Sequence, residues 1–467
     1  MKQKEGEGLV RRLGAFDSTM MMVGIVIGSG IYTTTGLIAE RAPSAGLILL
    51  VWVVGGLLTL AGALTYAELG TAMPHAGGHY VYLREAYGPL AAFLFGWNLF
   101  VVQMTGSIAA LAVAFADYFS TYVPAVSPAN VIFSTPVGLF GHSFQYSLSM
   151  GQLFAVAVIL LLSAFNVLGV ALGSLLQNLF TVIKIGTLLV FIALGLTVGR
   201  GAAVDFSLNP EGLEWGQLIV GFGIASIIVS WAFDGWHNIN YIAGEIKDPA
   251  RNLPRALFAG ATGITLLYVL TNYIYLYAVP IHEMEGVVRI AELATSALYG
   301  GATAGLITVA IIISVFGALN GSIIVGPRVY YAMAADGLFF KKVSEVHSRF
   351  RTPAFSILLQ AFWASMLTLS GTFEQLITFV MFVTVLFTVA AVASIFTLRK
   401  QQPDLARPYR TWGYPLVPLI FIVASTGILL DTLIERPVQA LAGIGLTAIG
   451  IPVYIYWRRA AAADAVG

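Results

Sequence analysis

Long apolar stretches separated by short polar ones dominate the chain from end to end. Runs of about 20 apolar residues are the membrane-spanning signal. Twelve occur, at about 15–39, 45–70, 89–118, 150–168, 172–198, 217–242, 254–279, 301–335, 353–370, 374–398, 413–433 and 437–457. The eighth is long enough to predict a span that continues as a helix beyond the bilayer. Two of the twelve are interrupted. The first carries Gly28-Ser29-Gly30 at its centre, where an uninterrupted membrane helix would hold Leu or Val, and the sixth carries Asp234-Gly235 between Trp231 and Trp236. Three small residues let a helix unwind, and unwound backbone survives in a bilayer only where it is buried in protein or lines a cavity. N–H groups freed at the start of a half-helix attract anions. The two breaks stand five spans apart, the spacing that an inverted repeat of five spans plus five produces. No literal sequence repeat accompanies them. The pattern predicts an all-α polytopic membrane protein whose broken helices hold a substrate carboxylate.

Composition agrees with that class. Of the 467 residues 58% are hydrophobic and only 10% charged, with mean hydropathy +0.85, whereas a soluble domain is about a quarter charged. The polar segment Met1–Arg12 ahead of a long apolar run argues against a cleavable leader. Cysteine is absent, which removes disulfides, thiol chemistry and Cys-ligated metals. A net charge of +1, with no basic patch interleaved with aromatics, gives no sign of nucleic-acid binding. With the N-terminus placed inside, nineteen basic residues fall on inner loops, among them Lys2, Lys4, Arg84, Arg328, Arg399 and Arg407. Only Arg41, Arg200, Arg289 and Arg436 fall outside. That bias predicts cytoplasmic termini.

The one basic residue left over, Lys184, lies inside the fifth span. A cation there faces protein or a wet cavity, or snorkels to the inner headgroups about ten residues away. In the first case it serves as a fixed or titratable charge that replaces a coupling cation. Asp234 is the acid at mid-membrane depth. It either points into a pocket walled by Trp231, Phe233 and Trp236, or pairs with a neighbouring helix, Lys184 being the basic residue within the membrane. Span three offers Gln103, Thr105 and Ser107 at helical near-neighbour spacing, either for a pocket or for helix packing. Glu68, at the inner end of span two, is expected to order a cytoplasmic gate by pairing with a basic loop residue. His75 and His79 read as solvated loop residues, and His237 as a hydrogen-bonded structural one.

Enzyme chemistry finds no support. His282-Glu283 lacks the second His of a zinc-protease motif, and there is no phosphate-binding Walker lysine and no Gly-x-Ser-x-Gly elbow. Asp234 has no evident mate for an aspartyl dyad. No cofactor and no metal are called for.

Several motifs together resemble the amino acid–polyamine–organocation superfamily. They are Gly28-Ser29-Gly30-Ile31, Trp231-Ala232-Phe233-Asp234-Gly235-Trp236, Glu245 with Asp248-Pro249-Ala250-Arg251-Asn252-Leu253-Pro254, Phe316 to Ser322, and Pro403 to Arg410. The combination is most similar to the L-type branch, which includes the light chains of heteromeric amino acid transporters and bacterial relatives, and it covers about Gly14 to Trp457. The resemblance implies a ten-helix, LeuT-like inverted-repeat core at 15–398 with discontinuous helices 1 and 6. Around it would lie an N-terminal segment 1–14, a cytoplasmic loop 399–412, two peripheral helices within 413–457 and a tail 458–467. It implies an α-carboxylate held at the amides of Ser29, Gly30 and Ile31, in a break that also includes Ile27 and Gly28. The α-ammonium would meet the carbonyls of Trp231, Ala232 and Phe233, with Trp231 as an extracellular-side gate and Ser107 in the side-chain pocket. Lys184 matches the lysine typical of sodium-independent members. Asp234 departs from the small residue of many neutral-substrate members and points towards cationic amino acids. The function implied is sodium-independent amino acid transport by alternating access, as an exchanger or a proton-coupled carrier, in the cell membrane. The alternatives are a non-transporting sensor of the same fold, a polyamine permease or a neutral-only permease. The partners implied are the amino acid and the lipid bilayer. Lack of cysteine excludes a disulfide-linked heavy chain and leaves a homo-oligomer open.

Overall fold

A computed structural model describes residues 9–139, 142–199, 201–209, 212–370 and 373–466. Lys2, Lys4 and Arg200 of the charge count lie outside the described residues. Among the described residues ten helices are long and apolar enough to cross a membrane, and a bent pair, Ala15–Val26 and Gly30–Ala39, forms an eleventh span broken by 40°. Ala354–Ser370 is a shorter apolar helix. These elements occupy all twelve apolar stretches, so the polytopic helical class holds.

Lengths follow from the bilayer. Span 2 runs Ala45–Ala72, 28 residues, or about 42 Å at the helical rise of ~1.5 Å per residue, enough to cross a ~30 Å core with a turn or two to spare. Ser44 starts it by accepting the Leu47 amide at 3.1 Å, which satisfies one of the orphan donors of the first turn. Span 8 behaves as its length predicts: Ala304–Val325 passes through Gly326 into Pro327–Ala335.

Counterparts five spans apart pack on each other. The second half of span 1 lies against the first half of span 6 (Trp215–Phe233), span 2 against span 7 (Pro249–Ala278), and span 3 (Pro89–Ser120) against span 8. Spans 11 (Leu416–Glu435) and 12 (Pro437–Val466) pack on span 10 (Phe373–Gln401) and on the outer flanks of spans 2 and 3. An antiparallel hairpin, Val131–Leu139 paired with His142–Ser149, links spans 3 and 4. Apolar-run counting gives no hint of it.

Several of the basic residues that the charge count places on inner loops enter polar ties. Arg84 holds Asp336 through Nη1 at 2.8 and 2.6 Å. Arg328, counted from sequence among the inner loop residues, is instead 1% exposed and grips Glu245 at 2.6 and 3.2 Å. The Glu245 carbonyl in turn accepts the amides of Arg12 and Leu13, at 2.8 and 3.0 Å. A second correction concerns His79. It is 1% exposed, donates through Nε2 to the Phe387 carbonyl at 2.8 Å, pairs through Nδ1 with the Tyr66 hydroxyl at 3.1 Å, and stacks on Phe95 at 4.1 Å. His75, four residues earlier, is exposed as expected.

Candidate substrate site

The two breaks meet inside the bundle. Helical bonding in span 1 ends at Val26. The Ile27 amide still reaches Val23 and the Gly28 amide folds back onto Val26, at 2.9 and 2.8 Å. The amides of Ser29, Gly30 and Ile31 then find no acceptor among the described residues before Tyr32 bonds Ser29 at 3.0 Å. Gly30 permits the meeting, because a Cβ there would stand 2.9 Å from Ala232 Cα of span 6. The break in span 6 depends on Gly235 at φ +97°, a backbone region costly for residues with a Cβ. Beyond it the chain continues as the 3-10 segment Trp236–Glu245.

Lys184 is fully buried and does not snorkel. Its Nζ donates to the carbonyls of Gly24 at 2.8 Å, Ile27 at 2.7 Å and Ser314 at 2.9 Å. The first two are carbonyls at the C-terminal end of the first half-helix, where the helix dipole favours a cation. Ser314 Oγ also donates to Ile27 at 3.0 Å. Tyr268 of span 7 adds a bridge between the breaks, its hydroxyl lying 3.0 Å from the Val26 carbonyl and 3.2 Å from that of Ala232. Among the described residues no ion pair reaches Asp234, so Lys184 and Asp234 are not partners.

A cavity of about 70 Å³ lies between the breaks. Of the residues singled out from sequence, Gly28, Ser29, Gly30, Ser107, Trp231, Ala232 and Asp234 line it. Ile27 and Ile31 are buried in the surrounding core, and Phe233 packs on Trp52 and Tyr268 at ring-centroid distances of 5.9 and 5.1 Å. Gln103 of span 3 joins the wall, whereas the Thr105 hydroxyl turns onto the Phe100 carbonyl at 2.7 Å. Glu68 does not line the cavity and lies near the end of span 2. It accepts from Arg399 at 2.9 and 2.7 Å and from the Thr411 amide at 2.6 Å, with Arg407 at 3.5 Å. His237 is not hydrogen-bonded. Both ring nitrogens lack partners among the described residues, and the ring packs edge-on to Trp236 and Tyr241 at 5.3 and 5.8 Å.

Sequence reasoning missed Tyr268, Ser314, Asn238 and Ser322. Each is a single polar residue in an apolar setting, and such residues serve helix packing just as often. Among the described residues no cluster of His, Asp or Glu could hold a metal.

Two broken helices with facing half-helix ends and a cavity between them suit a membrane carrier. The family comparison makes the class specific: the amino acid permease family matches residues 13–440, and the chain belongs to that family. It is a transporter fold and not an enzyme. Similar proteins include the serine/threonine exchanger SteT of Bacillus subtilis, 31% identical over 459 residues and covering 96% of this chain and 97% of the relative. The human large neutral amino acids transporter small subunit 2 is 30% identical over 464 residues, 97% of this chain and 82% of the relative. The human b(0,+)-type amino acid transporter 1 is 30% identical over 435 residues, 92% and 84% respectively.

Proposed function

We propose that this permease moves L-amino acids across the cell membrane by alternating access and without sodium. The observation that supports it most is the set of amides at Ser29, Gly30 and Ile31, without an acceptor among the described residues, which begin one half-helix at the edge of the cavity. Opposite them span 6 ends at Phe233, with Trp231 and Ala232 of its last turn on the same cavity. Amides suit a carboxylate and carbonyls an ammonium, and an α-amino acid presents both at fixed spacing. Trp231, on the wall, is the candidate gate over the substrate. Sodium independence rests on Lys184, whose ammonium already satisfies the carbonyls that a bound cation would otherwise serve. The exchanger named among the relatives favours exchange over proton symport. The lysine and arginine bias favours cytoplasmic termini. A chain without cysteine forms no disulfide with a heavy chain. The ten-span core with two peripheral spans is retained as the domain division.

Asp234 carries the finer reading. A carboxylate at a cavity wall without an ion pair suits a cationic side chain, so arginine and lysine belong to the proposed range. A neutral-only range is the second reading, favoured by the cavity volume. A buried water needs about 10–15 Å³, so about 70 Å³ holds roughly five to seven water-sized atoms, nearer alanine or serine than arginine. Ser29→Val tests the carboxylate site. Purified variant protein is expected to insert and fold but to lose amino acid binding in a scintillation proximity assay. Binding as tight as the parent's would remove the carboxylate from the span 1 amides.

A further inference from the structure

We infer that the end of span 12 and the segment following span 8 together bind the headgroup of an anionic phospholipid. Span 8 continues through Pro327–Ala335, and beyond Gly337 the chain forms the 3-10 segment Lys341–Ser344. Span 12 ends alongside it. The Trp457 ring meets Phe340 edge-on at 4.9 Å and lies 6.2 Å from Phe339. A Cβ at Gly337 would stand 3.3 Å from that of Ala461. Phe339 and Val343 are buried, and Phe339 reaches Phe100 of span 3 at 5.4 Å. The segment is thus seated on the bundle.

The ring contact also gathers charge. Lys341 and Lys342 come directly after Phe340, and Arg458 and Arg459 directly after Trp457, so one contact brings two basic pairs to the same place. All four are exposed. Among the described residues no ion pair reaches any of them. The acids nearest in sequence to the lysines do not neutralise them: Asp336 is held by Arg84 at 2.6 Å, and Glu345 makes no ion pair among the described residues. Four like charges without a counter-ion repel one another, and an anion between them removes that cost. The neighbouring surface says which anion. Phe340 and Tyr456 are 53% and 65% exposed beside the charges, and Ile451 and Ile455 continue the exposed apolar surface along span 12. Aromatic rings with Lys and Arg at the end of a span mark the headgroup level, and basic clusters there attract anionic lipid. A free anion makes no use of the apolar surface. A phospholipid fits both parts, its phosphate on the basic cluster and its chains along span 12.

Because the chain has no cysteine, Ser344→Cys carries a single fluorophore beside the cluster. Its quenching is measured in detergent–lipid micelles by phosphatidylglycerol or phosphatidylcholine bearing a nitroxide high on the acyl chain. One basic residue near an anionic headgroup changes affinity about fivefold. The labelled parent is therefore expected to prefer phosphatidylglycerol by about a hundredfold or more. Lys341→Gln with Lys342→Gln, or Arg458→Gln with Arg459→Gln, is expected to cut that preference by about twenty-fivefold. Lys341→Arg with Lys342→Arg is expected to keep it. Arg251→Gln with Arg255→Gln removes the same charge from exposed positions at the start of span 7 and is expected to leave the preference within about twofold. Should a glutamine pair fail to insert, its single variants replace it, each expected to lose about fivefold. A parent without preference overturns the inference, as does a cluster variant that keeps the parental ratio. An equal loss in the span 7 pair overturns it too, because the attraction would then be diffuse. Excess inorganic phosphate is expected to leave the quenching unchanged; full displacement would make the site one for a free anion and overturn the lipid assignment.

Discussion

Lys184→Met removes the charge and keeps a flexible side chain of similar length. The ammonium donates to Gly24 and Ile27 of span 1 at 2.8 and 2.7 Å and to Ser314 of span 8 at 2.9 Å. A hydrogen bond to a charged group contributes about 1.5–3 kcal/mol. The two bonds into span 1 therefore contribute about 3–6 kcal/mol towards holding the break, a large share of a typical total of about 5–15 kcal/mol. Ile27 keeps the Ser314 hydroxyl at 3.0 Å, so the Gly24 carbonyl is the one most exposed to the loss. The first half-helix is then free to shift, and the amides of Ser29, Gly30 and Ile31 shift with it. A loss of about 3 kcal/mol corresponds to about a hundredfold. Uptake of labelled amino acid by Lys184→Met proteoliposomes is expected to fall by about that factor, with a lower thermal midpoint in detergent by size-exclusion chromatography. A variant that melts with the parent and takes up substrate within twofold of it would refute the structural role given to the ammonium.

Two further perturbations separate side-chain reading from gating. Asp234→Asn removes a charge at the cavity wall, and a charge-assisted bond of about 1.5–3 kcal/mol predicts arginine and lysine weakened about ten- to a hundredfold while alanine and leucine change little. Equal losses across a competition panel would leave Asp234 a part of the transport machinery. Glu68→Gln weakens the tie to Arg399 and Thr411 by about 1–2 kcal/mol, after allowance for screening on the partly exposed Arg399. Because the chain has no cysteine, Ser107→Cys gives a single reporter in the cavity. Adding Glu68→Gln is expected to speed its labelling, from the side on which Glu68 lies, by a membrane-impermeant thiol reagent several-fold. An unchanged rate would deny Glu68 a part in closing that side.

Much of the fold is legible in the sequence for a simple reason: in a bilayer, departures from an apolar run are expensive and therefore conspicuous. Gly28-Ser29-Gly30, Lys184 and Asp234-Gly235 all stand out on that ground, and all lie at or beside the two breaks. What sequence cannot supply is which polar groups meet. Arg328 and His79 read as solvent-facing because of their chemistry, yet Glu245 in one case and Tyr66, Phe95 and the Phe387 carbonyl in the other bury them. Tyr268 and Ser314 bond the break carbonyls as lone hydroxyls in apolar spans, a pattern shared with ordinary packing residues. The π turn before Met104 adds a residue to the helical count without leaving any compositional mark. Pro136 and Gly138 interrupt the alternation that would have revealed the hairpin.

Flux into proteoliposomes, with and without internal amino acid and with sodium or choline outside, tests the central claim most directly. The structure holds an ammonium on the carbonyls of Gly24, Ile27 and Ser314, so uptake is expected to be equal in sodium and choline, and to depend on amino acid inside. Several-fold stimulation by sodium would contradict the role given to Lys184, and binding without any exchange of label would make the protein a sensor and not a carrier.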